Sequence, residues 1–235
     1  MNASRWAAVD MARGVALLMM IGYHFCYDLK AFGRIQADFD NDPLWLGLRT
    51  VIVSLFLGLV GVSLQLASRQ RLHWGRYFRR LAALAACAAG ISVVSFVMYR
   101  QQMIFFGILH FILVASLLAL PFRSLGWMNA GLGVGLVMLG SLYSHPLFDQ
   151  PALQWAGLMT HKPYTVDYVP VLPWFGVVLL GLSLGRWLLD DGRLAHWRPG
   201  SWGRVLAAGG RHSLLIYMLH QPILLGSLYL IFEVL

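Results

Sequence analysis

Four ionisable residues, Asp10, Arg13, His24 and Asp28, lie at steps of three, eleven and four within one apolar run. In an α-helix these spacings fall on one face. Ionisable groups in hydrocarbon are costly unless paired, so the stripe must face a bundle interior or a wet cavity, not lipid. Asp28 follows His24 at i+4, close enough for its carboxylate to hold one imidazole nitrogen and leave the other as a proton acceptor. That is the arrangement general-base catalysis requires. A histidine bonded to a neighbouring helix for packing is the competing structural reading. Asp10 and Arg13, at i+3, suit a structural ion pair or interfacial anchoring as well as they suit a ligand.

A second polar face occurs near the C-terminus. The segment RHSLLIYMLHQP places Ser213, Tyr217, His220 and Gln221 on one broad helical face, and Pro222 deprives the carbonyl of Met218 of its partner. Upstream, QQMIFFGILH carries Gln101, Gln102 and His110 at a level comparable with His24. If these groups converge, Gln102, Tyr217 or His220 is placed to meet a developing oxyanion. Gly58, Gly61 and Ser63, and likewise Gly176, Gly181, Ser183 and Gly185, read as close helix approaches. The basic cluster Arg69, Arg71, Arg76, Arg79 and Arg80 is explained first by topology and anionic lipid, and second by nucleotide phosphates. Cys26 and Cys87 both fall in apolar runs and offer neither a disulfide framework nor metal-ligand spacing. No metal is expected. The P-loop, dinucleotide and zinc-protease motifs are missing from the sequence.

The elements that must position these residues are membrane spans. Of 235 residues, 59% are hydrophobic and only 12% charged, against about 25% charged in a soluble domain. Apolar runs near 7–29, 44–67, 77–98, 103–121, 127–143, 170–189 and 211–232 predict an all-α bundle of about seven transmembrane helices. The net charge of +8 resides in short loops, so it reads as a topology signal and not as a nucleic-acid surface. Arg5, Arg13, Arg69, Arg71, Arg76, Arg79, Arg80, Arg123, Arg186, Arg193, Arg198, Arg204 and Arg211 fall on one side, and only Lys30, Arg34, Arg49, Arg100 and Lys162 on the other. The positive-inside rule then gives N-in and C-out. The first run contains Asp10 and Arg13 and no recognisable cleavage site, so it is expected to stay attached. The long loop at 144–169 is expected to fold over the outer mouth, as a connector or a lid. No internal repeat supports an inverted-repeat transporter. The chain is read as one domain over 1–235.

The segments DMARGVALLMMIGYHF, FLGLVGVSLQLASR, RYFRRLAALA, FFGILHFILVASLL, PWFGVVLLGLSLGR and RHSLLIYMLHQPILL resemble the DUF1624 family. That family is similar to the catalytic domain of heparan-α-glucosaminide N-acetyltransferase and, more distantly, to the acyltransferase-3 membrane enzymes. The resemblance implies an enzyme that takes an acyl group from cytoplasmic acetyl-CoA or another acyl-CoA. It would deliver that group to a hydroxyl or amine of a carbohydrate or other small polar acceptor at or beyond the membrane. It also implies His24 as the catalytic residue; the residues themselves then suggest Asp28 as its orienting partner, and Asp10, Arg13, Arg69, Arg76, Arg79 and Arg80 toward the donor. Ser213, Tyr217, His220, Gln221, Gln102 and His110 would then face the acceptor or oxyanion. In the heparan enzyme an asparagine matches His24, and the catalytic histidine falls about three turns farther along, at the position of Ile35 here. Membrane lipid is the expected surrounding partner, nucleic acid is not a partner, and a homo-oligomer is compatible. A bacterial plasma membrane is the expected location. Two other readings remain open, a proton-coupled transporter or channel using the same polar residues and a non-catalytic partner with the same fold.

Overall fold

A computed structural model describes residues 6–69, 73–191 and 199–234. Among them the chain forms helices α1 (Ala7–Ala31), α2 (Pro43–Arg69), α3 (Trp74–Met98), α4 (Ile108–Leu118), α5 (Met128–Leu142), α6 (Val171–Asp191), α7 (Ser201–Arg211) and α8 (Ser213–Tyr229). Short 3₁₀ turns occur at Arg100–Gln102, Pro121–Ser124, Pro146–Asp149 and Gln154–Ala156, and α8 runs on into a π turn, Leu230–Val234. Outside the helices, the β-type pairing among the described residues is one isolated bridge between Phe106 and Tyr168.

The helix ends follow local chemistry. After Ala31 the chain leaves α1 through Gly33, whose φ of +68° suits a residue without Cβ. Asp42 then caps α2, its Oδ1 accepting from Leu44 N at 2.9 Å, with Pro43 in the first helical position. Between them Phe39, only 1% exposed, fills a cluster with Tyr23, Tyr27 and Trp45 at ring separations of 5.4, 5.2 and 4.2 Å. The 32–42 connection is thereby tied down onto α1 and α2.

Among the described residues, five helices are long and apolar enough to cross a membrane: Ala7–Ala31, Pro43–Ser68, Trp74–Met98, Val171–Asp191 and Ser213–Val234. The runs at 103–121 and 127–143, expected as spans four and five, contain helices of only 11 and 15 residues. At 1.5 Å per residue these reach about 16 and about 22 Å, short of the roughly 30 Å of hydrocarbon. The fourth run loses length because residues 103–107 leave the helix to meet Tyr168 and Val169, and Pro121 starts a 3₁₀ turn. A further difference lies at 201–211. The arginines Arg204 and Arg211, expected in a loop, sit on the separate helix α7, and a break at His212 sets the start of α8.

The chain divides into two compact units, Met1–Phe56 with Gly192–Leu235, and Leu57–Asp191. In the first unit α1 packs on α7 with almost no side chain between. A Cβ on Gly14 would strike the carbonyl of Leu206, and one on Gly210 the carbonyl of Asp10. Farther along α1, Leu17, Met20 and Ile52 form a buried core with Tyr23, Leu48, Ile216 and Tyr217 around it. In the second unit α6 lies between α2 and α5. Gly61 and Gly181 bring it against α2, and Gly133 meets Gly176 across the α5 contact. The small residues of α2 and α6 therefore act as close-approach surfaces, as their spacing predicts.

Candidate active site

His24 lies one turn past Met20, on the face of α1 that meets α8. Its Nδ1 is 2.9 Å from the carbonyl of Met20. A carbonyl only accepts, so this nitrogen carries the proton and Nε2 keeps its lone pair. His220 repeats the arrangement on α8, its Nδ1 donating to Tyr217 O at 2.6 Å. The two rings stand edge to face with centroids 4.9 Å apart, each with a basic Nε2. Tyr23 packs edge-on against His24 at 5.9 Å, and Tyr217 lies 5.5 Å from the His220 ring.

The expected pairing of His24 with Asp28 is not formed. The carbonyl of Met20 is as near along the helix as the carboxylate, and it takes the imidazole proton first. Asp28, 2% exposed, instead accepts from Gln221 Nε2 at 2.8 Å. Its Oδ2, together with Gln221 Oε1 and His220 Nε2, is buried with no hydrogen-bond partner among the described residues. Such groups are rare in folded proteins and costly where they occur. The site thus gathers four acceptors: His24 Nε2, His220 Nε2, Asp28 Oδ2 and Gln221 Oε1. Neutral His220 has no proton on Nε2, so the expected oxyanion donor is an acceptor instead.

The other expected site residues are distributed as follows. Asp10 Oδ1 accepts from Arg13 Nη1 at 2.7 Å, at the crossing where Gly210 rests on Asp10 O. Ser213 opens α8, and Tyr217 joins the core around Leu17. Gln102 and His110 belong to the second unit and take partners there. Gln102 Nε2 donates to the hydroxyl of Tyr164. His110 Nδ1 accepts from Gly107 N at 3.3 Å, so its proton is on Nε2, which donates to Ser92 Oγ at 3.1 Å, and that hydroxyl gives its own hydrogen to Ile104 O at 2.7 Å. Both ring nitrogens are engaged, so His110 reads as an architectural residue of the α3–α4 connection and not as an oxyanion donor. Arg76, Arg79 and Arg80 stand exposed on the first two turns of α3. The side chain of Arg69, and Arg71, Arg193 and Arg198, lie outside the described residues.

The 144–169 loop is organised within the second unit. Asp149 accepts from Thr160 N at 2.9 Å and from Thr160 Oγ1 at 2.7 Å, and these bonds hold its carboxyl below the usual range. Tyr168 donates to Gln154 O at 2.6 Å, and burial pushes its phenol up to about 12.

A family model described as heparan-alpha-glucosaminide N-acetyltransferase, catalytic, matches residues 5–222. The chain belongs to that family. The match takes in both the α1 stripe and the α8 face. With five membrane-length apolar helices, family membership makes this an integral membrane protein of an N-acetyltransferase family. Comparison with curated proteins and with solved structures finds no match to either.

Sequence reasoning found His24, Asp28, His220 and Gln221 but not their partners. The Met20 and Tyr217 carbonyls carry no side-chain signal. Phe39, which packs against Tyr23, Tyr27 and Trp45, looked like any other aromatic residue.

Proposed function

We propose that the chain is a membrane acetyltransferase that moves an acetyl group from acetyl-CoA to an amine of a carbohydrate-like acceptor. The observation that supports this reading is the acceptor-rich cluster in the first unit. An amine brings two or three N–H groups, which is what His24 Nε2, His220 Nε2, Asp28 Oδ2 and Gln221 Oε1 lack. A hydroxyl brings one. Buried Asp28 supplies the negative charge that holds the amine in its protonated form.

In this mechanism His24 Nε2 takes a proton from the bound ammonium and frees its lone pair. The nitrogen attacks the thioester carbonyl, and an imidazole removes the remaining proton as the C–N bond forms. The C–S bond then breaks, one proton passes to the departing thiolate and the other is released to solvent, giving the amide, CoA and a proton with both imidazoles neutral again. His220 lies close enough to His24 to hold the second proton in the interval. The Met20 carbonyl keeps Nδ1 protonated and so keeps Nε2 basic. Tyr217 remains the candidate oxyanion donor on this face. Arg13 and the arginines at 69, 76, 79 and 80 are proposed to meet the CoA phosphates. Residues 1–235 would act as one acyltransferase-like domain, N-in and C-out, in a bacterial plasma membrane.

The test is acetyl transfer in proteoliposomes holding the purified protein, with acetyl-CoA and glucosamine. Formation of the N-acetylated sugar with stoichiometric free CoA supports the reading. Solute flux without any acyl donor, and no product, would replace it with the transporter reading.

A further inference from the structure

In the second unit, Arg186, Leu189 and Asp190 near the end of α6 share a cavity of about 370 Å³ with Gln65 and Ser68 of α2 and Arg123 of the turn after α4. Arg123 is fixed by two bonds, from Nε to Leu120 O at 3.1 Å and from Nη1 to Ser68 Oγ at 3.3 Å, neither of which uses Nη2. Arg186 is the more unusual. Its Nε is buried without a hydrogen-bond partner, and Asp190 Oδ2 stands 3.8 Å away, an ion pair beyond hydrogen-bond range. Its guanidinium lies over Gly126, where φ is +60° and a Cβ would come within 3.3 Å of Nη1.

Arginines near helix C-termini often serve the last carbonyls. Arg123 does so at Leu120, but no such bond is made by Arg186. Two guanidinium groups therefore point unused N–H donors at one cavity, against a single carboxylate. Like charges brought together in this way are stabilised by an anion that accepts from both, and tetrahedral oxyanions match arginine forks in geometry and charge.

We infer that this cavity binds a phosphate group, carried either by a phospholipid headgroup or by a soluble phosphate ester. Asp190 opposes the anion and sets its affinity. The inference concerns binding alone and stands whether or not the protein transfers acyl groups.

The test titrates the detergent-purified full chain with CoA in one arm and phosphatidylglycerol in the other, with phosphate-free pantetheine as control, and reads the thermal midpoint. A response to CoA alone assigns a soluble ester, and one to phosphatidylglycerol alone assigns a headgroup. In the responding arm R123Q and R186Q should each weaken binding about tenfold or more, as loss of a charged hydrogen bond implies. D190N should tighten it. No response in either arm overturns the proposal, as does a response unchanged in the R123Q/R186Q double variant. Should an arginine variant fail to fold, unchanged affinity in D190N overturns it equally.

Discussion

Replacing Gln221 by Leu removes the hydrogen bond that the Asp28 carboxylate accepts and leaves both its oxygens buried without a donor among the described residues. The lost bond, at 2.8 Å to a charged group, is worth about 1.5–3 kcal/mol. For a chain of this size that is a fall in thermal midpoint of about 3–12 °C. Asp28→Leu alone strands the amide of Gln221 and should cost about 1–3 kcal/mol. The double variant D28L/Q221L replaces both partners with apolar groups and leaves nothing stranded, so its stability should return close to wild type. The assay is thermal unfolding of the detergent-purified protein, read across the four-member cycle. It should show two destabilised single variants and a recovered double. A double variant whose loss equals the sum of the singles would refute the reasoning, as would a Q221L protein as stable as wild type. Because the recovered double has lost the two acceptors proposed to hold the amine but keeps both imidazoles, it should be folded and impaired in acetyl transfer, which separates the stability of the pair from its function.

Gly210→Ala drives a methyl group into the carbonyl of Asp10 at the α1–α7 crossing. A cost of about 1–3 kcal/mol is expected, and a loss of thermal stability would show it, whereas Gly209→Ala, with its nearest atom at 3.8 Å, should be well tolerated. The loop around Asp149 should be pH-sensitive. Its carboxyl is held below the usual range by Thr160, so the stabilisation is fully present above about pH 4 and is lost as pH falls through the lowered value. Amide-exchange protection factors across 146–161, which are corrected for the intrinsic rate at each pH, should fall on acidification, and Thr160→Val should remove that dependence; identical protection in both proteins at every pH would contradict it.

Much of this was legible in the residues, and the failures have physical causes. The stripe on α1 and the face on α8 were readable because charge in an apolar run has so few tolerable locations. Their partners were not, since i−4 carbonyl and i+4 carboxylate are equally close to His24 and only the folded structure shows which is bonded. Hydropathy marked 103–121 as apolar but could not show that Gly107 starts α4 only after the chain has turned out to meet Tyr168. Helix α7 was hidden by Gly203, Gly209 and Gly210, which lower helix propensity. Those at 203 and 210 bring the helix close to α1. The membrane class and the family rested on long patterns that no single residue decides.

The central claim is that His24 Nε2 is the base in acetyl transfer to an amine. His24→Ala, assayed in proteoliposomes with acetyl-CoA and glucosamine, should lose about 10²–10⁴-fold in rate while CoA binding is retained. Free imidazole added to the variant should restore part of that rate and leave wild type unchanged. A His24→Ala protein that transfers acetyl groups at the wild-type rate would contradict the claim.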